Sequence, residues 1–311
     1  MIIKEFIKKG DGFSGQDIDS WTSNWDKVDS LVKTSRNIEK DHLSYFFKKY
    51  FPKQPKKILE GGCGTGKYVI AYRNLGYDIL GVDFSARTIK RLKEDMGSDF
   101  PVYEGNVTAL PFGDNYFDCY YSGGVIEHFP DGPDKPLKEA RRVLKKGGLL
   151  LATVPYINLI RRLIFTISKR TLNEELLRER VTHCCDASEI LADYKFCEYI
   201  FDVKSLTPYF SNNGFLIEAA YPTNFLWGEL GFLIRKFINR QSNKSKRIDM
   251  NYMAVDKNGD DQSIGRCSSL LKNLAYSFLV TEDIGNIFFK IPITALNYLS
   301  GHLILFVAKA V

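Results

Sequence analysis

An acid, Glu60, followed by glycines at 62, 64 and 66, is the part of this sequence best suited to hold a ligand; it lies in ILEGGCGTGKY, residues 58–68. Closely spaced glycines let a backbone turn wrap a bound molecule, and two phosphate-binding loops use related patterns. The run from Gly61 to Gly66 and Lys67 approaches a P-loop, but Tyr68 stands where that loop needs a Ser or Thr hydroxyl for magnesium. The dinucleotide fingerprint needs a third glycine three residues after its second, for close helix–strand packing, and Lys67 takes that place. Glu60 argues against both, because a carboxylate at a strand end repels phosphate and attracts a cation. A ligand with an adenosine half and a cationic, phosphate-free other half would fit this loop.

Residues further along agree. In GVDFS, Asp83 follows the glycines by about twenty residues, where an acid can accept hydrogen bonds from both hydroxyls of a ribose. Phe84 beside it offers an apolar face to a flat base. EGNVTALPF puts Asn106 and Val107 after the next strand, where a side-chain amide can pair with the amino edge of adenine. YYSGGVIEHF then brings Gly123 and Gly124, which let backbone carbonyls approach a ligand ammonium.

Such residues need strand ends that open on one crevice, and the hydrophobic pattern supplies them. KYVIAYRNLG reads as a helix closed by Gly76, DILGVD as a strand, and SARTIKRLKEDMG as a helix with Ser85 at its N-cap and Gly97 past its end. PVYEGNV, FDCYYSGG and GLLLATV read as further strands, with DKPLKEARRVLKKGG the helix before the last of them. Alternation of this kind predicts parallel βαβ units. Upstream, a helical pattern from Asn37 to Phe51 stops at Pro52, and WTSNWDKV sets Trp21 and Trp25 on one helical face, to pack on the body or over a ligand. Past Pro155 the pattern loosens for about sixty residues, until KSLTPYFSNNGF gives a helix, FLIEAAY a strand and HLILFVAKAV a last strand. About eighty residues separate those two strands, far more than a hairpin uses, and they read as a cap. The expected fold is α/β: a doubly wound, mainly parallel seven-stranded sheet with helices on both faces and a largely helical insertion before the last strand. Residues 1–36 form an N-terminal segment placed as a lid, 37–222 the core, 223–300 the insertion and 301–311 the final strand.

The motifs, in this order, resemble those of the class I S-adenosylmethionine-dependent methyltransferases, in particular the small-molecule group with E/D-x-G-x-G-x-G after the first strand. The resemblance runs from Lys56 to Pro155 and resumes in GFLIEAA and GHLILFVAK. It implies that Glu60, Gly62, Gly64 and Gly66 lie along the methionine part of S-adenosylmethionine, Asp83 at its ribose, Asn106 and Val107 at its adenine, and Ser122 and Gly123 near its sulfonium. This chain departs in having Asn106 where Asp is common and Gly61 where a β-branched residue is usual. The implied activity is methyl transfer to a small-molecule, lipid-like or sugar-like acceptor, with O-, N- and C-methylation all open. Such an in-line displacement needs positioning above all, and a base helps if a proton must leave. His128, at the end of the fourth strand, is the best placed base; His183, in the irregular segment, is a second candidate, with Glu127 behind them and Tyr156 as a wall of the acceptor pocket. Two other readings stay open: a cofactor-binding module without catalysis that presents a membrane or partner interface, and an NAD(P)-dependent oxidoreductase, which Glu60 and Lys67 disfavour.

The 311 residues, 44% hydrophobic and 26% charged, suffice for a sizeable core. The net charge of +6 is scattered rather than gathered in a stripe, so no nucleic-acid partner is expected. Six cysteines without a C-x-x-C pair, and no leader-like N-terminus, point to free thiols in a reducing cytoplasm. Cys184 and Cys185 beside His183 cannot close a tetrahedral site alone, so no metal is expected. Pro292, Asn297, Ser300, Gly301 and His302 interrupt the longest apolar tract and make it a poor spanning helix. In 225–240, Phe225, Trp227, Phe232 and Phe237 alternate with Arg235, Lys236 and Arg240, which suits a buried cap with a basic edge or a peripheral membrane contact.

Overall fold

The computed structural model describes residues 2–8, 18–26, 28, 35, 38–53, 56–163, 180–183, 194–224 and 295–311. The basic aromatic stretch and the rest of the insertion through 294 therefore lie outside the described residues.

A seven-stranded sheet forms the centre. Its strands are β2 (Lys57–Gly61), β3 (Asp78–Asp83), β4 (Val102–Glu104), β5 (Phe117–Gly123), β6 (Leu144–Pro155), β9 (Phe215–Thr223) and β10 (Leu303–Ala310), in the spatial order β4-β3-β2-β5-β6-β10-β9. The first five run parallel, whereas β10 is antiparallel to both of its neighbours. The order turns back at β2 and β5, and ligand crevices of open α/β sheets form outside the carboxyl ends of the strands at that reversal. This is the doubly wound fold expected from the alternating pattern.

Period-two alternation assigns the strand residues to two cores. Leu59, Tyr120, Leu150 and Phe306 face one layer with Leu137, Ala140, Leu206 and Phe210. Those helical residues come from α5 (Asp134–Val143) and α6 (Val203–Asn212). Ile58, Cys119, Tyr121, Leu151, Leu305 and Val307 face the other, with Phe46, Phe47, Ala71 and Tyr72. These belong to α2 (Ser44–Tyr50) and α3 (Lys67–Asn74). In α4 (Ala86–Met96) the Ser85 hydroxyl caps the Thr88 N–H at 3.3 Å, as its position predicts.

Three details differ from the sequence reading. The helical pattern of 37–51 splits into a 3₁₀ turn at Ile38–Lys40 and α2, because Asp41 turns its carboxylate back to the Leu43 N–H at 2.9 Å. The third strand is only the three residues of β4. The segments read as a polar lead-in and an irregular stretch contribute a second, antiparallel sheet: β1 (Ile2–Lys8) pairs with β7 (Arg180–His183) on one side and β8 (Tyr194–Phe201) on the other. Its partners are far apart in sequence, so no local signal announces the pairing.

Phe306 is fully buried on β10 and stacks on Phe210, ring centroids 5.3 Å apart. Phe306→Ala is expected to cost about 3–5 kcal/mol. A urea midpoint that barely moves would show that the last strand does not anchor the core.

Candidate functional site at the strand ends

The glycine loop turns back on the end of β3. The Gly62 and Cys63 N–H groups both donate to the Val82 carbonyl, at 2.7 and 2.9 Å, and the Gly66 N–H to that of Cys63 at 2.8 Å. Gly64 and Gly66 have φ of 49° and 68°, backbone that glycine adopts at least cost, and they let α3 begin directly after the turn. Asp83 closes the structure from below: its Oδ2 accepts from the Gly64 N–H at 2.8 Å and its Oδ1 from the Ser85 N–H at 2.9 Å. Burial pushes this carboxyl above its usual range, outweighing those bonds. Each oxygen keeps a further lone pair for a ligand hydroxyl.

Glu60, 4% exposed, is the next-to-last residue of β2. The Val69 N–H in the first turn of α3 donates to its carboxylate, while Oε2 is buried without a partner. Burial pushes this carboxyl well above the usual carboxylate range. Lys67, which takes the place of a third glycine, reaches back to Asp41, Nζ to Oδ2 2.5 Å, and the Tyr68 hydroxyl donates to Oδ1 at 3.1 Å. Burial acts to raise Asp41, but His42 and Lys67 outweigh it and hold the carboxyl low. Asp41 is a site neighbour that the sequence reading missed, and no motif there could have pointed to it.

On β5, Ser122 lies opposite Gly61, is 2% exposed, and its Oγ has no partner. The unusual Gly61 has a steric cause: a Cβ there would come 2.1 Å from the Tyr120 hydroxyl. Gly123 is half-buried, and a Cβ there would meet the Tyr121 hydroxyl at 2.1 Å. Phe84 is half-buried and Val107 buried, while Asn106 is exposed and its Oδ1 accepts from the Thr108 N–H and hydroxyl, both at 2.9 Å. Tyr156 packs in the core beyond β6. Glu127 and His128 lie in the 3₁₀ turn Ile126–His128 after β5, both buried. The His128 Nδ1 sits 2.9 Å from the Cys197 carbonyl, so it carries the proton there, and Nε2 is 3.9 Å from Glu198. His183 is not brought to this place: it sits on β7, opposite Lys4, with β1 between it and β8.

The helix α1 (Ile18–Asp26) covers the loop. The rings of Trp21 and Trp25 stack at 5.3 Å, Trp21 meets His128 edge-on at 5.3 Å, and a Cβ on Gly64 would come 2.9 Å from the Trp25 ring. The Thr22 and Ser85 hydroxyls share a hydrogen bond of 2.7 Å, and Arg91 donates to the Trp25 carbonyl at 3.2 Å, so both indoles are held over the strand ends. The buried Trp25 Nε1 also lacks a partner. These contacts pack both indoles on the body of the fold, the first of the two placements posed for them.

The reversal crevice thus gathers an acid before the glycines, a second acid at the end of the next strand and unpartnered polar atoms between them. Residues 59–152 match the family model described as a methyltransferase domain. The malonyl-[acyl-carrier protein] O-methyltransferase of Erwinia pyrifoliae is 32% identical over 100 residues, 32% of this chain and 37% of that protein. The demethylmenaquinone methyltransferase of Staphylococcus carnosus is 30% identical over 133 residues, 41% and 54%. The chain thus spans between about a third and a little over half of the curated relatives it matches. A solved structure of Haemonchus contortus phospholethanolamine N-methyltransferase 2, in complex with phosphomonomethylethanolamine and S-adenosylhomocysteine, aligns with 86% of this chain and 51% of that one, at TM-score 0.46 and 19% identity.

Because the Glu60 pKa is raised on folding, the folded state keeps that proton longer than the unfolded chain. The stability this contributes is present below the unfolded pKa, about 4.3, and is lost as pH rises towards the folded one. Glu60→Gln keeps an acceptor for Val69 and removes the penalty, so thermal melts at pH 8 should place it at least about 2 °C above the parent, with a smaller gap at pH 5. A gap that shrinks with rising pH would contradict this.

Proposed function

We propose that the chain transfers a methyl group from S-adenosylmethionine to a small-molecule acceptor. The observation that carries this reading is the gathering of unpartnered buried polar atoms, Glu60 Oε2, Ser122 Oγ and Trp25 Nε1, around the glycine turn. Leaving such atoms dry costs about 1–3 kcal/mol each, and a ligand with matching donors and acceptors removes that cost. Their chemistry suits the cofactor: a carboxylate for its ammonium, the Asp83 lone pairs for its ribose, and Phe84, Asn106 and Val107 for its adenine. Ser122 and Gly123 border the place of the sulfonium.

When bound, the cofactor supplies an electrophilic methyl group on a positively charged sulfur. The protein holds the glycine turn rigid through Asp83, keeps water from the strand ends with Trp21 and Trp25, and orients the reacting partners. The relatives named for malonyl-[acyl-carrier protein] and demethylmenaquinone favour a small acceptor group over a nucleic acid. Among the described residues no helix is long and apolar enough to cross a membrane.

Calorimetric titration should give one-to-one binding of S-adenosylhomocysteine, weakened at least tenfold by Asp83→Ala, with Asp83→Asn as the variant that keeps the Gly64 bond. Binding should also change the emission of Trp21 and Trp25. An intact chain that binds no cofactor would sink the proposal. One that binds it but transfers no labelled methyl to any of a panel of small acceptors would favour the non-catalytic reading.

A further inference from the structure

Beyond the glycine loop, β8 of the small sheet docks on the turn after β5 and brings a second set of polar groups together. Glu127, His128 and Glu198 each offer one donor atom, and those atoms lie within 4.8 Å of one another. Glu127 is 1% exposed, and its Oε2 has no partner. His128 is 6% exposed, and its Nδ1 bond to the Cys197 carbonyl leaves the lone pair on Nε2, which faces Glu198 at 3.9 Å. That is how proteins orient a metal-binding imidazole: the other ring nitrogen donates to a backbone carbonyl, which fixes tautomer and ring plane. A second bond, from the Tyr199 hydroxyl to the Pro130 carbonyl at 2.6 Å, fixes β8 to the same turn on the other side of Glu198. The register partner of Glu198 on β1 is another acid, Glu5.

We propose that Glu127, His128 and Glu198 form a site for one divalent transition-metal cation. Two carboxylates this close, one fully buried, repel each other unless a proton or a cation lies between them. An imidazole with two carboxylates suits zinc, manganese or ferrous iron rather than calcium or magnesium, which prefer all-oxygen sites. Metal–ligand distances of about 2.0–2.2 Å put tetrahedral donors about 3.3–3.6 Å apart, so the present spacing needs a contraction of no more than about 1.5 Å, within reach of a rotamer adjustment at the partly exposed Glu198. Three protein donors leave at least one coordination position for water or for an oxygen of another molecule. The site is at the end of β5, five residues beyond Ser122, on the side of the sheet's mouth covered by Trp21. It is separate from the glycine loop, and its existence does not depend on the methyl-transfer reading.

The test uses the intact chain, stripped with chelator, titrated separately with zinc and manganese chloride and followed by calorimetry; cobalt substitution adds a visible spectrum that reports coordination. One saturable equivalent is expected. Glu127→Gln and Glu198→Gln should each weaken it at least tenfold, while His183→Ala with Cys184→Ser should leave it unchanged. Far-UV circular dichroism controls for folding, and if Glu127→Gln does not fold, Glu198→Gln decides. No saturable binding by the intact chain identifies a proton-sharing acid pair and overturns the proposal, as does retained affinity in a folded glutamine variant.

Discussion

The Asp83 carboxylate is the constraint on which the rest of the site depends. It receives the N–H of Gly64 from the turn after β2 and that of Ser85 from the start of α4, joining two loops that no other described side chain ties together in this way. Hydrogen bonds to a charged acceptor contribute about 1.5–3 kcal/mol each, enough to hold a glycine-rich turn that would otherwise sample many conformations. With that turn held, the first residues of α3 are aimed at Glu60, α1 has a surface to lie on through Thr22 and Ser85, and the strand ends form one crevice.

This crevice is costly to the unliganded protein. Glu60 and Asp83 are buried acids raised by desolvation, and Ser122 keeps an unmatched hydroxyl. The two core layers offset that cost with fully buried rings and branched side chains, including Phe47, Phe117, Phe306 and Leu59. The apolar core and the buried polar groups are thus divided between the faces of the sheet and its carboxyl edge, a separation that a doubly wound sheet allows because its helices cover the faces and leave the edge open.

Much of this was legible in the chain. Glu60, the alternate glycines, Asp83 and the Ser85 cap belong to strand–turn–helix units whose signals lie within a few residues of one another. The reading weakened where geometry is set by distant partners. Nothing local links Asp41 to Lys67, Tyr120 to the space above Gly61, or Trp25 to Gly64. Closer in the chain, the Asn106 oxygen accepts from the Thr108 N–H and hydroxyl within its own turn, a local bond that the reading did not include. His128 and Cys197 meet across 69 residues, so the acids around that imidazole could not be paired from the sequence.

By itself the sequence determined the doubly wound class and the strand, glycine turn and helix around Glu60, because hydrophobic period and helix caps act over short stretches. Only the tertiary structure decided that residues 2–8 belong to a second sheet, that the N-terminal indoles lie over the glycine turn, and that Glu127, His128 and Glu198 converge. Strand pairing and burial between distant segments depend on which surfaces the folded core leaves open, and that is not encoded in any one window of the chain.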